Sequence, residues 1–219
     1  MKIVEQSVEL LWSTPDPEKI IELAGRTCYK SEDKITDESS GKFVKMIHKR
    51  GHHAMIEHAS ASFRIICDRG IGNEIVRHRI ASYAQKSTRY VRCDKGTGKR
   101  ECTFIQPPGL VGTSLTDWQS ICLDIEETYF NLLDDGHSPQ IARSVLPLCL
   151  ETEIVMTANL REWLHFINLR IAKGAHPQIR VIAQKILIHC YELAPNIFEE
   201  LYNQHSPEMF AQENHENNT

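Results

Sequence analysis

The sequence predicts an α+β fold, and three observations support this class. Hydrophobic residues make up 41% of the 219 residues and charged residues 25%, which is typical of a globular protein and excludes a disordered chain or a fibre. Helical periods of apolar residues dominate the chain, whereas strand-like stretches are few. No apolar run reaches the roughly 18 residues of a membrane span, so no membrane association is expected.

The chain length suits one large domain. We expect this domain to span 1–204, followed by a polar tail over 205–219. Acidic residues come too early for a secretory signal peptide, so export is not expected. The seven cysteines are odd in number, widely spaced and without a C-x-x-C pair. Reduced thiols in the cytoplasm are therefore expected, rather than disulfides or a zinc site.

The first third of the chain contains three predicted helices and one strand. The run Ser-Thr-Pro at 13–15 is typical of a helix start, because proline is favoured in the first helical turn. A second helix is predicted over 38–50, with Gly51 suited to end it. A strand is predicted over 58–67 and a third helix over 70–78.

The rest of the chain begins with a long predicted loop over 79–100, where no apolar period is sustained. A loop of this length inside a compact domain is often functional. The remaining predicted elements are strands over 101–106 and 150–158, a short helix opening at 138, and helices over 114–135, 159–171, 177–193 and 196–202.

Positive charge is concentrated between Arg77 and Arg100, although the formal net charge of the chain is −4. This segment holds eight basic residues and one acidic residue, a formal charge of +7. A solvated cationic surface would explain it, and so would a site for an anionic small molecule, since arginine suits bidentate capture of phosphate. A general nucleic-acid binder would be more basic overall.

The same segment carries the sequence Arg77-His78-Arg79. On a helix, adjacent side chains point about 100° apart, so these three cannot all hold one small group. They are better placed to contact different ligands or different subunits. Ser87 and Arg89, two residues apart in the predicted loop, have a spacing that suits a phosphate.

A second polar segment lies on the predicted helix over 159–171. Arg161, His165 and Asn168 follow one helical stripe, separate from the apolar core positions. Arg170 falls on another face with aromatic residues. An arginine among aromatic side chains is partly desolvated, which strengthens its electrostatic effect.

Other chemistries receive less support. Neither G-x-G-x-x-G nor a P-loop is present, and Cys28 has no base beside it in sequence. No metal is expected, although a metallohydrolase remains an alternative, built on four histidines: His52, His53, His58 and His78. A nucleic-acid-binding module using 77–100 is another alternative, against which the few neighbouring aromatics count.

Arg77-His78-Arg79, seven further residues and then Ser87 form the motif R-H-R-x7-S. With this motif the chain resembles the flavin-dependent thymidylate synthases. The resemblance extends over roughly 20–195 and includes further stretches: 24–29, 51–53, 57–58, 141–147 and 159–170.

The resemblance implies a small mixed or antiparallel sheet flanked by long helices, in a single-domain subunit of a homotetramer with active sites between subunits. It implies FAD as cofactor, and NADPH and methylenetetrahydrofolate as cosubstrates. The implied reaction is reductive methylation of dUMP to dTMP, with release of tetrahydrofolate. No nucleic acid is implied as a partner.

The resemblance also implies roles for individual residues. Those matching the family's FAD contacts are His52, Ala54, Arg77, His78, Arg79, Gln85, Asn159, Leu160, Arg161 and His165. Those matching its dUMP site are Glu74, Ile75, Val76, Arg77, Gln85, Lys86, Ser87, Thr88, Arg89, Arg143 and Arg170.

Arg170 matches the arginine that favours ionisation of N3 of the uracil, and we therefore expect it to be catalytic. This fits the chemistry, because a guanidinium group stabilises the anionic ring whose C5 attacks. Ser87 is expected to position the substrate rather than to act as a nucleophile, because no base that would activate it is evident. Ala54, Glu74, Gln85 and His165 differ from the residues common in the family.

Overall fold

The computed structural model of the chain describes residues 1–96 and 98–205. Its strands are β1 (Lys2–Val4), β2 (Ser7–Ser13), β3 (Ser60–Asp68), β4 (Ser82–Gln85), β5 (Thr103–Ile105) and β6 (Glu151–Asn159). Its α-helices are α1 (Pro17–Thr27), α2 (Ser39–Lys49), α3 (Arg69–Ile75), α4 (Gly112–Asp134), α5 (Pro139–Ala142), α6 (Leu160–Arg170), α7 (Pro177–Leu193) and α8 (Pro195–Gln204). Short 3-10 segments lie at Glu32–Lys34, His53–His58 and Arg143–Val145.

The strands form two small sheets, and the predicted α+β class is confirmed. β1 and β5 pair in parallel, with Lys2 opposite Thr103 and Val4 opposite Ile105. The other sheet has four strands in the order β2-β3-β6-β4. Among the described residues, no helix is both long and apolar enough to cross a bilayer.

The beginning of the chain differs from the prediction, because it contains two strands that were not predicted. β2 ends at Ser13, so a helix cannot start at 13–15; α1 begins instead at Pro17, with Asp16 as its N-cap. The first helical turn does contain a proline, as expected, but this proline is Pro17 rather than Pro15. Along β2, exposed and half-buried residues mostly alternate, so little of the strand is buried.

Two corrections concern the segment after β3. The predicted loop over 79–100 contains β4, an edge strand beside β6, and four residues are too few to produce a clear sequence period. The third helix ends at Ile75 rather than at His78. The backbone carbonyl of His78 instead accepts a hydrogen bond of 2.6 Å from the hydroxyl of Tyr83.

The described chain divides into two compact units, each assembled from separate segments. Unit 1 comprises Met1–Ser7, Ile65–Arg77 and Ala84–Ile154. Its apolar core contains Cys102, Phe104, Cys122, Tyr129, Phe130, Ala142 and Leu150. The prediction of one domain over 1–204 stays a prediction.

Unit 2 comprises Val8–Arg64, His78–Tyr83 and Val155–Thr219. Residues 206–219, and with them nearly all of the predicted tail over 205–219, lie outside the described residues. Trp163 of α6 is buried against Phe63 of β3, with the ring planes at 89° and the centroids 4.9 Å apart. The Trp163 indole donates to the carbonyl of Ala61 at 3.0 Å. This packing fixes α6 beside β3 and so determines where the polar side chains of α6 lie.

Candidate active site

His78 is the buried centre of a polar cluster in unit 2. Its ring is 4.7 Å from the ring of Phe166, centroid to centroid, and its side chain is almost completely buried. Nε2 of His78 lies 3.0 Å from Nε of Arg170, and Nδ1 lies 3.4 Å from Oε1 of Glu162. His165 meets the His78 ring at 62°, with 5.7 Å between the ring centroids.

The charge of His78 follows from these neighbours. The pKa of His78 is lowered to about 4. Burial is the largest cause, followed by the positive charge of Arg170 and then by His165. The imidazole is therefore neutral at pH 7, and it accepts a hydrogen bond from Arg170. Burial also raises the pKa of Glu162, an effect that His165 opposes. The pKa of Tyr83 is raised to about 12, mainly by burial and to a smaller extent by the charge of Glu162.

The first residues of α6 have structural roles of their own. The side-chain oxygen of Asn159 caps the helix by accepting from the backbone amide of Glu162 at 2.8 Å. Leu160 is buried, and its amide donates to the carbonyl of Ala59 at 2.8 Å. Arg161 points to the surface, where its guanidinium group pairs with Glu57.

An apolar cavity of about 260 Å³ lies elsewhere in unit 2, between α1, α2 and the 3-10 segment His53–His58. Its lining residues are Gly25, Cys28, Tyr29, Phe43, Ile47, His52, Ala54 and Met55. His52 is the only titratable nitrogen base in this lining, so the cavity combines an apolar wall with one imidazole.

Unit 1 holds the segment that leaves β4. The Gln85 amide donates to the Thr152 hydroxyl at 3.2 Å, and Lys86 Nζ lies 2.6 Å from a carboxylate oxygen of Glu151. These bonds attach the segment to β6, whose residue Glu151 is buried. The positive charge of Lys86 is thereby neutralised within the protein.

The next turn of unit 1 is centred on Ser87. Its hydroxyl accepts from the backbone amide of Arg89 at 3.3 Å, and its carbonyl accepts from the amide of Val91 at 2.9 Å. The Arg89 guanidinium donates to Gln140 at 3.1 Å. Arg143, in the 3-10 segment after α5, is exposed. Unit 1 therefore presents guanidinium groups and a hydroxyl, the donors that bind phosphate.

Part of the positive charge over 77–100 is neutralised within the fold. Arg92 forms a two-pronged pair with Asp94, with distances of 3.1 and 2.8 Å, and Arg100 pairs with Asp134. Asp94 is already counted in the formal charge of +7, whereas Asp134 and the Glu151 that pairs with Lys86 lie outside the segment and offset two more of its charges. Less positive charge is then left for the nucleic-acid alternative, which is not otherwise tested.

The four-histidine metal site is wrong for the part of the chain that the structure describes. The single group there with suitable ligand spacing comprises His78, Glu162 and His165, whose ligand atoms lie within 4.8 Å of one another. His52, His53 and His58 do not belong to it. The guanidinium of Arg170, 3.0 Å from His78, disfavours a cation at this position.

Comparison with known proteins identifies the family. Residues 9–196 match the family described as "Thymidylate synthase complementing protein". A flavin-dependent thymidylate synthase of Geobacter sulfurreducens is 36% identical over 203 residues, which cover 88% of this chain and 85% of that protein. One from Mycobacteroides abscessus is 35% identical over 196 residues, covering 82% of this chain and 77% of that protein.

The chain belongs to the family of flavin-dependent thymidylate synthases. The fold agrees: a UMP/dUMP methylase of Streptomyces cacaoi, solved with 5-Br dUMP, superimposes with a TM-score of 0.77. The two chains are 23% identical, and the match covers 91% of this chain and 96% of the other. At this identity the likeness concerns the fold alone.

The structure separates the family's motif residues by exposure. Arg77 and Arg79 are exposed and His78 between them is buried, as expected if the three do not hold one group. Unit 2 brings together His78, His165 and Arg170. Ile75 and Leu160 are fully buried, so neither presents surface to a ligand in the described chain. The ligand roles of the family's residues stay predictions.

Sequence reasoning missed Glu162, the carboxylate that faces His78. A signal was available, because Glu162, Phe166 and Arg170 follow one another at intervals of four residues along α6. If that face is buried, a carboxylate on it needs a polar or charged partner. The sequence does not indicate that this partner is His78.

Proposed function

We propose that this protein catalyses the reductive methylation of dUMP to dTMP. Methylenetetrahydrofolate would donate the carbon, NADPH would be the reductant, FAD the cofactor, and tetrahydrofolate the folate product. The observation that carries the proposal is the environment of Arg170, which the resemblance matches to the family's uracil arginine. Its guanidinium is half-buried and bound to a neutral imidazole, so no neighbouring charge at His78 cancels its effect.

The residues of unit 2 fit an FAD molecule by their chemistry. FAD carries a pyrophosphate, which needs cationic donors, and flat rings, which need apolar surface. Arg79 and Arg161 are exposed cationic donors, and His52 and Ala54 line the apolar cavity. When bound and reduced, the flavin supplies the hydride that completes the methyl group.

Arg170 would act on the uracil ring. C5 of a neutral uracil is a weak nucleophile. Loss of the N3 proton would make the ring anionic, with negative charge around N3 and O4 that raises the electron density at C5 for its attack on the methylene carbon. A guanidinium group held there lowers the energy of that charge, and more so where water is excluded. No cysteine need attack C6 in this scheme. Burial is the main cause that raises the pKa of Cys67 on β3 to about 12, so this thiol is poorly suited to such an attack.

The dUMP phosphate would be held by residues of unit 1. Arg77 and Arg143 are exposed, and Arg89 carries a guanidinium group next to the Ser87 turn. Ser87 would orient the nucleotide through its hydroxyl.

The resemblance to the family also supports a homotetramer whose active sites draw residues from several subunits. Neither nucleic acid nor a membrane is proposed as a partner.

The experiment is an assay of the purified protein. With dUMP, methylenetetrahydrofolate and NADPH we expect dTMP to accumulate, measured by chromatography. The protein should show the visible absorption bands of a flavin, which should bleach when NADPH is added. A flavin-containing protein that forms no dTMP under these conditions would refute the proposed reaction.

A further inference from the structure

A continuous chain of side-chain contacts joins Glu162 to Arg170 through His78. Oε1 of Glu162 lies 3.4 Å from Nδ1 of His78, and Nε2 of His78 lies 3.0 Å from Nε of Arg170. Glu162 and His78 are 6% and 5% exposed. The contact between Glu162 and His78 is therefore shielded from water, and the hydrogen bond to Arg170 is shielded at its histidine end. Polar interactions shielded from water are stronger than those at the surface.

The direction of the hydrogen bond between Arg170 and His78 is determined by chemistry. Nε of arginine is always a donor, so Nε2 of His78 must accept and cannot carry a proton. A neutral imidazole has one proton, which must then lie on Nδ1, the nitrogen that faces the Glu162 carboxylate. The lowered pKa of His78 agrees with this neutral form. Glu162 thus selects the tautomer that can bind Arg170.

The neighbouring elements hold this arrangement in place. Glu162 and Arg170 lie eight residues apart on α6, and His78 bridges two turns of that helix. The His78 ring packs on Phe166, between them in sequence, and its backbone carbonyl is bound by the Tyr83 hydroxyl. A hydrogen bond at Nε fixes the plane of a guanidinium group, which matters because arginine recognises flat groups through that plane.

We propose that Glu162 is a positioning residue for Arg170, acting through His78 to hold the guanidinium in the plane that meets the uracil of dUMP. The inference rests on the proposed function, since it concerns the same site. Glu162 does not touch the substrate in this scheme. It acts as the carboxylate does in a serine protease triad, where it holds the histidine in the right tautomer.

The first test compares Glu162→Gln with Glu192→Gln. A neutral glutamine carbonyl binds Nδ1–H more weakly than a carboxylate does, and the glutamine NH2 can instead donate to Nδ1. The variant therefore loses the selection against the tautomer whose Nε2–H would face the Nε–H of Arg170. We expect kcat of Glu162→Gln to fall by about tenfold or more, while the flavin content is retained. Losses of this size are typical when a residue that orients a metal ligand is removed from an enzyme. Glu192 makes a similar but exposed contact, 3.7 Å from Nδ1 of His189 on α7, and its variant should keep full activity.

A double-variant cycle separates positioning from a general structural role. In the presence of Arg170, Glu162→Gln should weaken dUMP binding several-fold, measured by calorimetry on the flavin-loaded protein. In an Arg170→Ala background the same change should leave dUMP affinity unaltered, because the residue through which it acts is gone. Equal weakening in both backgrounds would overturn the proposal.

A further measurement does not depend on turnover. Nitrogen NMR of histidine-labelled protein, with His78 assigned through His78→Gln, should show the Nδ1–H tautomer in the wild type and its loss in Glu162→Gln. An Nε2–H tautomer in the wild type would overturn the positioning role. Absence of dTMP formation with the Nδ1–H tautomer present would instead refute the proposed function and leave the contact chain intact.

Discussion

At the scale of single residues, the chemistry concentrates on Arg170 and the groups around it. Its Nε is bound to His78, a neutral base, rather than to a carboxylate. A carboxylate in that place would have neutralised the guanidinium charge that the reaction requires. A neutral partner at Nε orients the guanidinium without itself neutralising the positive charge.

We predict that Arg170→Ala lowers turnover by about 100-fold or more, since removal of one electrostatic stabiliser of a transition state has that order of effect. The variant should still fold and bind flavin, because α6 is anchored by Trp163 and its N-cap rather than by Arg170. Steady-state assays with flavin absorbance as the control would measure this. Unchanged turnover would remove Arg170 from the mechanism.

His78 makes the stability of the protein depend on pH. Its pKa is lowered to about 4 in the folded chain from an ordinary value near 6.5, so between these pH values the unfolded chain binds more protons. Stability is therefore lost as pH falls through this window, by up to about 3 kcal/mol. The raised pKa of Glu162 opposes part of this loss.

The comparison that isolates this effect is urea unfolding of the wild type and His78→Gln at pH 7 and pH 5. The wild type should lose more stability on acidification than the variant does, because the variant lacks the buried imidazole. Parallel losses in the two proteins would show that other groups set the pH dependence.

At the scale of elements, the packing of α1 on α2 depends on a residue without a side chain. A Cβ atom added at Gly25 would lie 2.5 Å from Cε1 and 2.7 Å from Cζ of Phe43, whose ring is buried. Arg26, next along α1, covers that ring with its guanidinium 4.5 Å from the centroid. The ring is thus confined on two sides, and α1 cannot approach α2 as closely with a larger residue.

Gly25→Ala should therefore destabilise the protein by about 1 to 2 kcal/mol, although alanine normally favours a helix over glycine. Gly174→Ala is the matched control, since no heavy atom lies within 4 Å of its added Cβ. Chemical denaturation of both variants would measure the difference. A stabilised Gly25→Ala would mean that the Phe43 ring moves aside without cost.

At the scale of the whole molecule, the proposed homotetramer gives a reason for large apolar side chains at the surface. Val111 is 75% exposed, Leu148 67% and Ile80 70%, and an assembly could cover such groups. We predict a particle of four chain masses by sedimentation velocity, and the same mass for Arg170→Ala. A monomer with full activity would contradict active sites shared between subunits.

Several elements follow from the sequence because their cause is local. The helix Pro177–Leu193 has the bounds predicted for it, since proline opens it and the apolar period persists to its end. Gly51 follows the end of α2, as predicted, and its φ of 74° is one that glycine adopts most readily. β1, β2 and β4 escaped prediction, because short edge strands depend on the neighbours they pair with.

The amino-acid order by itself determined the α+β class, most helices, the R-H-R-x7-S motif and, through it, the family. Tertiary structure alone decided that His78 is neutral and stands between Glu162 and Arg170, and that Lys86 is neutralised by Glu151. The physical reason is range. Helix periods and caps join residues within a few positions, whereas the Arg170–His78 bond joins residues 92 positions apart, and burial changes a charge only once the chain has folded around it.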